Sequence, residues 1–228
     1  MDKLLTVVIP SYNVEKFLNQ TLDSFVCDEA VMKKFEVIVV DDGSKDNTAK
    51  IGKEYADKYP DTFRVISKEN GGHGSTINCG IRNAVGKYFK VVDGDDWVNT
   101  ADFVKLVEDL EKTESEYVFT NYYEYYDDVN RQKAVDFPQF KDGTEYDFAD
   151  VANKVYIPMH ALVIKTSVLK DNNIVIDEKC FYVDVEYVMF PVPFVNKVTF
   201  FDLHVYMYRL ALSTQSVSIL GFQKHIND

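Results

Sequence analysis

Residues 35–48 read FEVIVVDDGSKDNT. A short run of β-branched and aromatic residues that stops at D-D-G-S has the form of a strand ending in a turn. Working outward, the same form recurs on both sides. LLTVVIP (4–10) lies before it, and FRVIS (63–67) and YFKVV (88–92) lie after it, at intervals of about 25–30 residues. Helical periods fill the gaps. Val14, Phe17, Leu18, Leu22 and Phe25 fall near a 3.6 spacing, and Ile51, Tyr55 and Tyr59 repeat every four residues within 48–59. Ile77, Ile81, Ala84 and Val85 mark a third helix over 75–85, and Phe103, Leu106, Val107 and Leu110 a fourth from Thr100. Strands alternating with helices at this distance predict βαβ units and a mostly parallel α/β sheet. Such sheets bind ligands at the carboxyl ends of their strands, here just after Pro10, Val40, Ser67 and Val92.

The rhythm breaks near Thr113. YVFTNYYEYY (117–126) predicts a strand crowded with aromatics, 127–150 a polar loop or hairpin excursion, and 156–164 another strand. A short helix is expected over 184–196, limited by Pro191 and Pro193, and a strand over 198–208. The break divides the 228 residues into 1–112 and 113–228, two halves of one catalytic-sized domain. The end at GFQKHIND carries no stop signal, as in a longer chain trimmed there.

Composition narrows the function classes. A hydrophobic fraction of 46% with 27% charged residues is globular. The net charge of −12 argues against a nucleic-acid binder that neutralises phosphates, and against adhesion to an anionic membrane through a basic face. No apolar run approaches the ~20 residues of a membrane span, and MDKLLTVVIPSYN lacks signal-peptide order. Three widely spaced cysteines form neither a disulfide framework nor a zinc spacing, so a cytoplasmic location is expected. Cys79 and Cys180 suit buried small hydrophobic positions.

Strand ends gather the chemistry. The first closes in Pro10-Ser11-Tyr12-Asn13, the second in Asp41-Asp42-Gly43-Ser44, and the fourth in Asp93-Gly94-Asp95-Asp96-Trp97. Five carboxylates at one sheet edge repel and need a counter-charge. A divalent cation meets that need, because Mg²⁺ uses one or two carboxylates together with substrate phosphates. In an extended segment Asp93 and Asp95 point the same way, and Gly94 leaves room for a close ligand. A single D-D-G-S is an ordinary solvated turn and a lone D-x-D says little; their joint placement after βαβ strands carries the reading. Between them, Asn70-Gly71-Gly72-His73-Gly74-Ser75 opens a helix. It is neither G-x-G-x-x-G nor a Walker A loop. It offers helix N–H groups to an anion, or else is a flexible loop with Ser75 as N-cap. His73 either points at a phosphate or sugar hydroxyl or is merely exposed.

Taken together, VVIPSYNVEKFLNQTLDS, FEVIVVDDGSKDNT, NGGHGSTINCGIRNAVGKY and VVDGDDW resemble the family 2 glycosyltransferases, inverting enzymes of the GT-A fold. The resemblance is close over 4–110 and weaker at 181–187 and 206–218. It implies a Rossmann-like nucleotide-binding α/β/α sandwich with a smaller mixed acceptor-side region. It places Pro10, Tyr12, Asp42, Asn70, Gly72, His73, Asp93, Asp95 and Arg209 around a nucleotide-sugar donor, UDP-linked in the first instance. Tyr12 stacks on the base and Asp42 accepts from the uracil imide. Asp93 sits by the ribose, and Asp95, with Asp93, binds Mn²⁺ or Mg²⁺ at the diphosphate. Asp96 and Trp97 fall on the acceptor side. Asp184, in FYVDVEY, takes the place of the catalytic base, although Val183 replaces the first acid of the usual pair. Arg209, with Ser213, Ser216 and Ser218 beyond it, looks like the phosphate-facing segment. The implied acceptor is a saccharide or lipid-linked saccharide in surface polysaccharide or glycoconjugate synthesis. Peripheral contact with the inner face of the membrane would run through a segment beyond residue 228.

Plainer readings stand beside these. Asp184 and Glu186 suit first-turn acids on a helix dipole, and Arg209 suits an ion pair. Trp97 suits a core cap, and Tyr122, Tyr123, Tyr125 and Tyr126 suit sheet packing rather than an acceptor platform. A sugar-nucleotide pyrophosphorylase would carry a basic Gly-rich loop where Ser11-Tyr12-Asn13 stands. A non-catalytic nucleotide-binding α/β domain is the alternative from another class.

Overall fold

The computed structural model describes residues 3–211. Strands β1 (Leu5–Ser11), β2 (Phe35–Asp41), β3 (Phe63–Ser67) and β4 (Tyr88–Val91) lie where the apolar runs predict them and pair in parallel in the order β3-β2-β1-β4. β1 and β2 are buried from end to end, so each carries consecutive apolar residues, 7–9 in β1 and 37–40 in β2, rather than an alternating pattern, and the buried Glu36 carboxylate accepts from Thr6 Oγ1 at 2.6 Å. The intervening helices are α1 (Leu18–Asp23), α2 (Glu29–Met32), α3 (Thr48–Lys58) and α4 (His73–Asn83). After the two-residue β5 (Trp97–Val98) comes α5 (Thr100–Asp109), capped by the Asn99 side chain on the N–H groups of Ala101 and Asp102. α1 is shorter than its apolar period. Asn13 takes φ 54°, and the N–H groups of Val14 and Glu15 bond to Thr48 Oγ1 and Asp46 Oδ2 instead of opening a helix.

The second half holds β6 (Tyr117–Tyr126), β7 (Arg131–Val135), β8 (Thr144–Asp147), α6 (Phe148–Ala152), β9 (Leu162–Lys165), α7 (Thr166–Asp171), α8 (Val183–Met189) and β10 (Lys197–Leu210). The polar excursion over 127–150 is thus a β6–β7 hairpin followed by β8, which pairs with β10. The strand expected over 156–164 forms only from Leu162. Before it, Pro158 has no N–H to give a ladder, and its carbonyl accepts from Ala161 N at 3.0 Å, closing a turn.

One ten-stranded sheet runs β3-β2-β1-β4-β9-β6-β10-β5, with β7 added on β6 and β8 on β10. β9 is antiparallel to both β4 and β6 and so welds the two halves. β10 is parallel to β6, with register shifts between Phe201 and Tyr206, and its far end pairs antiparallel with β5. Such irregularities bend a strand and re-aim its side chains. Here the pairing of Met207 with Trp97 brings the end of β10 back to the acidic turn. The period-2 alternation of β1 divides the core between two faces. Val8 packs with Ile77, Phe89, Leu169 and Tyr187 on one side; Val7 and Ile9 pack with Leu22, Phe103 and Leu106 on the other. Phe103 meets Phe25 and Phe35 edge-on at 5.0 and 5.1 Å. Truncating such a ring to Ala costs about 3–5 kcal/mol. Among the described residues, no helix is long and apolar enough to cross a membrane.

Candidate active site

The carboxyl ends of β1, β2 and β4 lie together. Ser11 is in register with Asp41, and Gly94 N–H donates to the Pro10 carbonyl at 3.1 Å. Gly94 is required by this approach, not by a ligand: a Cβ there would stand 2.9 Å from Pro10 O and 3.0 Å from Ser11 Oγ. Residues 93–96 are a turn rather than the extended segment expected, closed by Asp96 N–H on Asp93 O at 3.0 Å.

Asp93 and Asp95 remain near neighbours. Burial and the charge of Asp93 push the Asp95 carboxyl up to about 6, and among the described residues no side chain hydrogen-bonds its oxygens. Asp93 Oδ1 lies 2.7 Å from His73 Nε2. Burial disfavours charge on both groups, yet each holds the other ionised: Asp93 is pulled below the carboxylate range and His73 is pushed above the imidazole range. A half-buried carboxylate raised by a second one has the chemistry that a hard divalent cation would suit. No group of three or more His, Cys, Asp or Glu among the described residues is arranged to hold a metal. Asp95 and Asp93 would therefore supply protein oxygens, with substrate and water completing the shell.

Asp96 faces inward and not toward an acceptor. It is 1% exposed, and its oxygens accept from Tyr206 Oη at 2.5 Å and Arg209 N at 2.7 Å. Arg209 is likewise committed. Its Nε donates to Asp95 O at 2.7 Å, Nη2 to Gln20 Oε1 at 2.6 Å, and Nη1 to Asp127 Oδ1. The guanidinium lies 4.6 Å from the Trp97 ring and 5.8 Å from that of Tyr125. Instead of reaching toward a diphosphate, Arg209 clamps the acidic turn to the end of β10. Trp97, set edge-on to Tyr125 at 5.1 Å, lines that clamp. Ser213, Ser216 and Ser218 lie outside the described residues.

Asp42 is also turned inward, at 2% exposure. It accepts from Gly71 N at 2.9 Å, Gly72 N at 2.8 Å and Lys68 Nζ at 2.6 Å. Asn70 Nδ2 donates to the Asp42 carbonyl at 3.0 Å. These bonds occupy two of the N–H groups expected for an anion. Ser75 is not the N-cap: Gly72 is, with φ 83°, and Ser75 Oγ bonds Gly72 O at 2.7 Å. The glycines serve a close backbone approach. Lys179 N–H donates to Gly71 O at 3.0 Å, and a Cβ on Gly74 would stand 2.0 Å from Asp177 O. Asn78 exchanges two bonds with the Ile176 backbone, at 2.8 and 2.9 Å. The segment 176–179 that leads to α8 is thus pinned on the glycine-rich turn. Tyr12 stands exposed at the rim, and Pro10 is buried in β1.

Asp184 is the second residue of α8 and half-buried. Its charge acts on His73 and on Tyr208, and Tyr208 also senses Asp93, Asp95 and Asp96. Asp184 therefore lies within electrostatic range of the acidic turn. Glu186 does not share that place; its Oε2 accepts from Asp177 N at 2.8 Å. Two residues packed behind the acidic turn escaped the sequence reading. His160 stacks on Tyr208 at 3.9 Å between ring centroids, and beneath it the fully buried Lys90 donates to the His160 carbonyl at 2.8 Å. The signal was a lysine inside the apolar strand YFKVV and a histidine in IPMHALVI.

Residues 6–172 match Glycosyl transferase family 2, and the chain belongs to that family. It is 37% identical over 123 residues to the uncharacterized glycosyltransferase EpsJ of Bacillus subtilis (strain 168), covering 54% of this chain and 35% of that protein. The fold is the GT-A fold. S. aureus TarS 1-349 in complex with UDP-GlcNAc superposes with a TM-score of 0.76 at 24% identity, over 92% of this chain and 59% of that one. The mannosyltransferase PcManGT of Pyrobaculum calidifontis, in complex with GDP-Man and Mn2+, gives a TM-score of 0.69 at 17% identity, over 99% and 62%. The chain thus spans about a third of EpsJ and three-fifths of either solved structure.

Proposed function

We propose that this chain transfers a sugar from a nucleotide-diphosphate donor, UDP-linked, to an acceptor hydroxyl with inversion, and that Asp184 is the general base. The observation that supports the reading is the 2.7 Å contact of His73 with Asp93 at the strand ends, with Asp95 and Asp184 both within electrostatic range of the same imidazole. Residues 1–112 hold the donor and residues 113–228 face the acceptor. Tyr12, exposed at the rim, stacks on the base. Asp95, with Asp93, holds Mn²⁺ or Mg²⁺. When bound, the metal neutralises charge developing on the leaving diphosphate as a Lewis acid.

The remaining work falls to the chain's own groups. The Asp184 carboxylate takes the proton of the acceptor hydroxyl. The freed oxygen attacks the anomeric carbon from the face opposite the leaving group. As the new C–O bond forms, the bond to the β-phosphate oxygen breaks and the diphosphate leaves with the electron pair. One displacement with one base inverts the centre, by the same logic as the inverting glycosidases. His73, held cationic by Asp93, faces the donor phosphates. Arg209 and Asp96 act at one remove: they fix the backbone of the acidic turn, so that Asp95 needs no reorganisation when the donor arrives. The acceptor is assigned to the saccharide or lipid-linked saccharide class, in surface polysaccharide or glycoconjugate synthesis at the cytoplasmic face of the membrane.

The test is thermal shift with UDP, GDP and ADP, each with and without Mn²⁺. A ligand that binds only the native state raises its melting temperature by mass action. Mn²⁺-dependent stabilisation by UDP above the other two supports the donor assignment. No response to any nucleoside diphosphate removes it.

A further inference from the structure

We propose that His160 is a sugar-contacting residue of this cleft, presenting a ring nitrogen to a hydroxyl of the donor's sugar, and that the buried Lys90 ammonium is the positioning residue that holds it there. The inference rests on the transferase reading above and deepens it. His73 and His204 each spend a ring nitrogen on a carboxylate, at 2.7 and 2.6 Å. The His160 ring makes no hydrogen bond among the described residues, yet its orientation is fixed by aromatic contacts. It lies nearly flat on Tyr208 at 3.9 Å and 28°, stacks on Tyr122 at 5.6 Å, and meets Tyr206 edge-on at 4.9 Å. The Tyr206 hydroxyl that lies beside this ring accepts from Asp93 N at 3.1 Å and donates to Asp96 Oδ2 at 2.5 Å, so the His160 cluster packs directly against the acidic turn, where the donor's sugar and diphosphate meet in the proposed site.

Charge state decides which part of the donor the ring suits. Burial drives the His160 imidazole down to about 4, so at neutral pH it offers one N–H donor and one acceptor nitrogen. A cationic ring would be drawn to phosphate. A neutral one matches a hydroxyl, which both gives and takes a hydrogen bond.

Lys90 explains how a loop residue is held so firmly. Its ammonium, in the middle of β4, is fully buried and pushed down to about 7 by burial alone. It meets no carboxylate. It donates to the carbonyls of His160 at 2.8 Å and Leu162 at 3.2 Å and lies 5.3 Å over the Tyr206 ring. A methionine would fill the same volume without desolvating a charge. What the lysine adds is a tether from the donor-side strand to the loop that carries His160.

Isothermal titration with UDP, UDP-glucose and UDP-N-acetylglucosamine, in Mn²⁺, separates the outcomes. H160F keeps the stack and loses the nitrogens. It should bind UDP within about two-fold of wild type, while its preference for whichever UDP-sugar the wild type favours falls by about ten-fold, the weight of one or two hydrogen bonds. H160Q, which can still bond a hydroxyl, should recover most of that preference, and K90M should lose about three-fold of it with UDP affinity retained. Melting curves establish that each variant is folded, and H160Q keeps the question answerable if H160F is not. Wild-type preference in H160F overturns the role of His160, and wild-type preference in K90M overturns that of Lys90. A wild-type protein that binds neither UDP nor either UDP-sugar overturns the transferase reading and this inference with it, a result distinct from the other two.

Discussion

His73 Nε2 and Asp93 Oδ1 lie 2.7 Å apart, tying the first turn of α4 to the acidic turn after β4. In the metal-free protein this imidazolium is the nearest counter-charge to Asp93. The pair sets a pH dependence. His73 is raised above its ordinary value, so its contribution is complete below about pH 6.5 and is lost as pH rises through the folded value. The melting temperature of metal-free protein should therefore decline above pH 6.5, and H73Q should flatten that decline. Parallel curves for the two proteins would refute the ion pair.

Asp95 works in the opposite sense to a stabilising acid. Its folded value of about 6 lies above the ordinary 3.8, so stability is lost as pH rises from about 4 to about 6. A carboxyl shifted that far destabilises the fold by up to about 3 kcal/mol at neutral pH. D95N should accordingly melt higher than wild type at pH 7.5 without metal, yet show no Mn²⁺-dependent stabilisation by UDP and no transfer. This is the pattern of a carboxylate kept for a ligand. A D95N protein that melts lower than wild type under those conditions contradicts it.

Arg209 has only its fork geometry to explain so many partners. Lysine keeps one charge but cannot reach Asp95 O, Gln20 and Asp127 together. R209K should lose about 2–3 kcal/mol in urea unfolding. Because Trp97 is the chain's single tryptophan and stacks on the guanidinium, its emission should shift in the folded variant as well. An unchanged midpoint with unchanged emission would show that the clamp does not hold the turn.

The parallel half of the fold was legible because each of its strands is a short run rich in β-branched and aromatic residues. Asp93 and Asp95 follow the end of β4, and Asp184 falls in the first turn of α8, as the turn and helix signals placed them. What local sequence concealed was orientation. Asp42 and Asp96 look like their acidic neighbours, yet they point inward, because N–H donors from Gly71, Gly72 and Arg209, as many as 113 residues away, converge on them. The same long-range pairing of β10 with β5 turned Arg209 from a phosphate ligand into a clamp. His160 was hidden by an apolar run that reads as strand throughout but bends at Pro158.

Gly74 links the glycine-rich turn to the base. Alanine in a helix is worth about 1 kcal/mol over glycine, which alone would make G74A stabilising. The clash decides otherwise. With a Cβ 2.0 Å from Asp177 O, the segment before α8 must move, at a cost of about 1–3 kcal/mol. G74A should lower kcat by ten-fold or more through displacement of Asp184, with UDP affinity held within about two-fold. Loss of UDP binding with kcat intact would place the glycine at the donor instead.

Asp184 and Glu186 give the sharpest contrast, since both are first-turn acids of α8. Glu186 is spent on the backbone N–H of Asp177. Asp184 bonds to nothing among the described residues, and it sits just after Tyr182, whose left-handed φ of 60° is a costly conformation for a bulky residue. A carboxylate held that way, facing His73 and Tyr208, contributes little to folding. D184N should keep its unfolding free energy within about 0.5 kcal/mol of wild type and still bind UDP with Mn²⁺, while kcat falls by about 10²–10⁴-fold, the usual weight of a general base. E186Q should do the reverse, losing stability through the Asp177 contact and retaining most of its turnover. If D184N turns over normally while E186Q is inactive, the base has been misassigned by one half-turn of helix, and the cleft must be reached from the other face of α8.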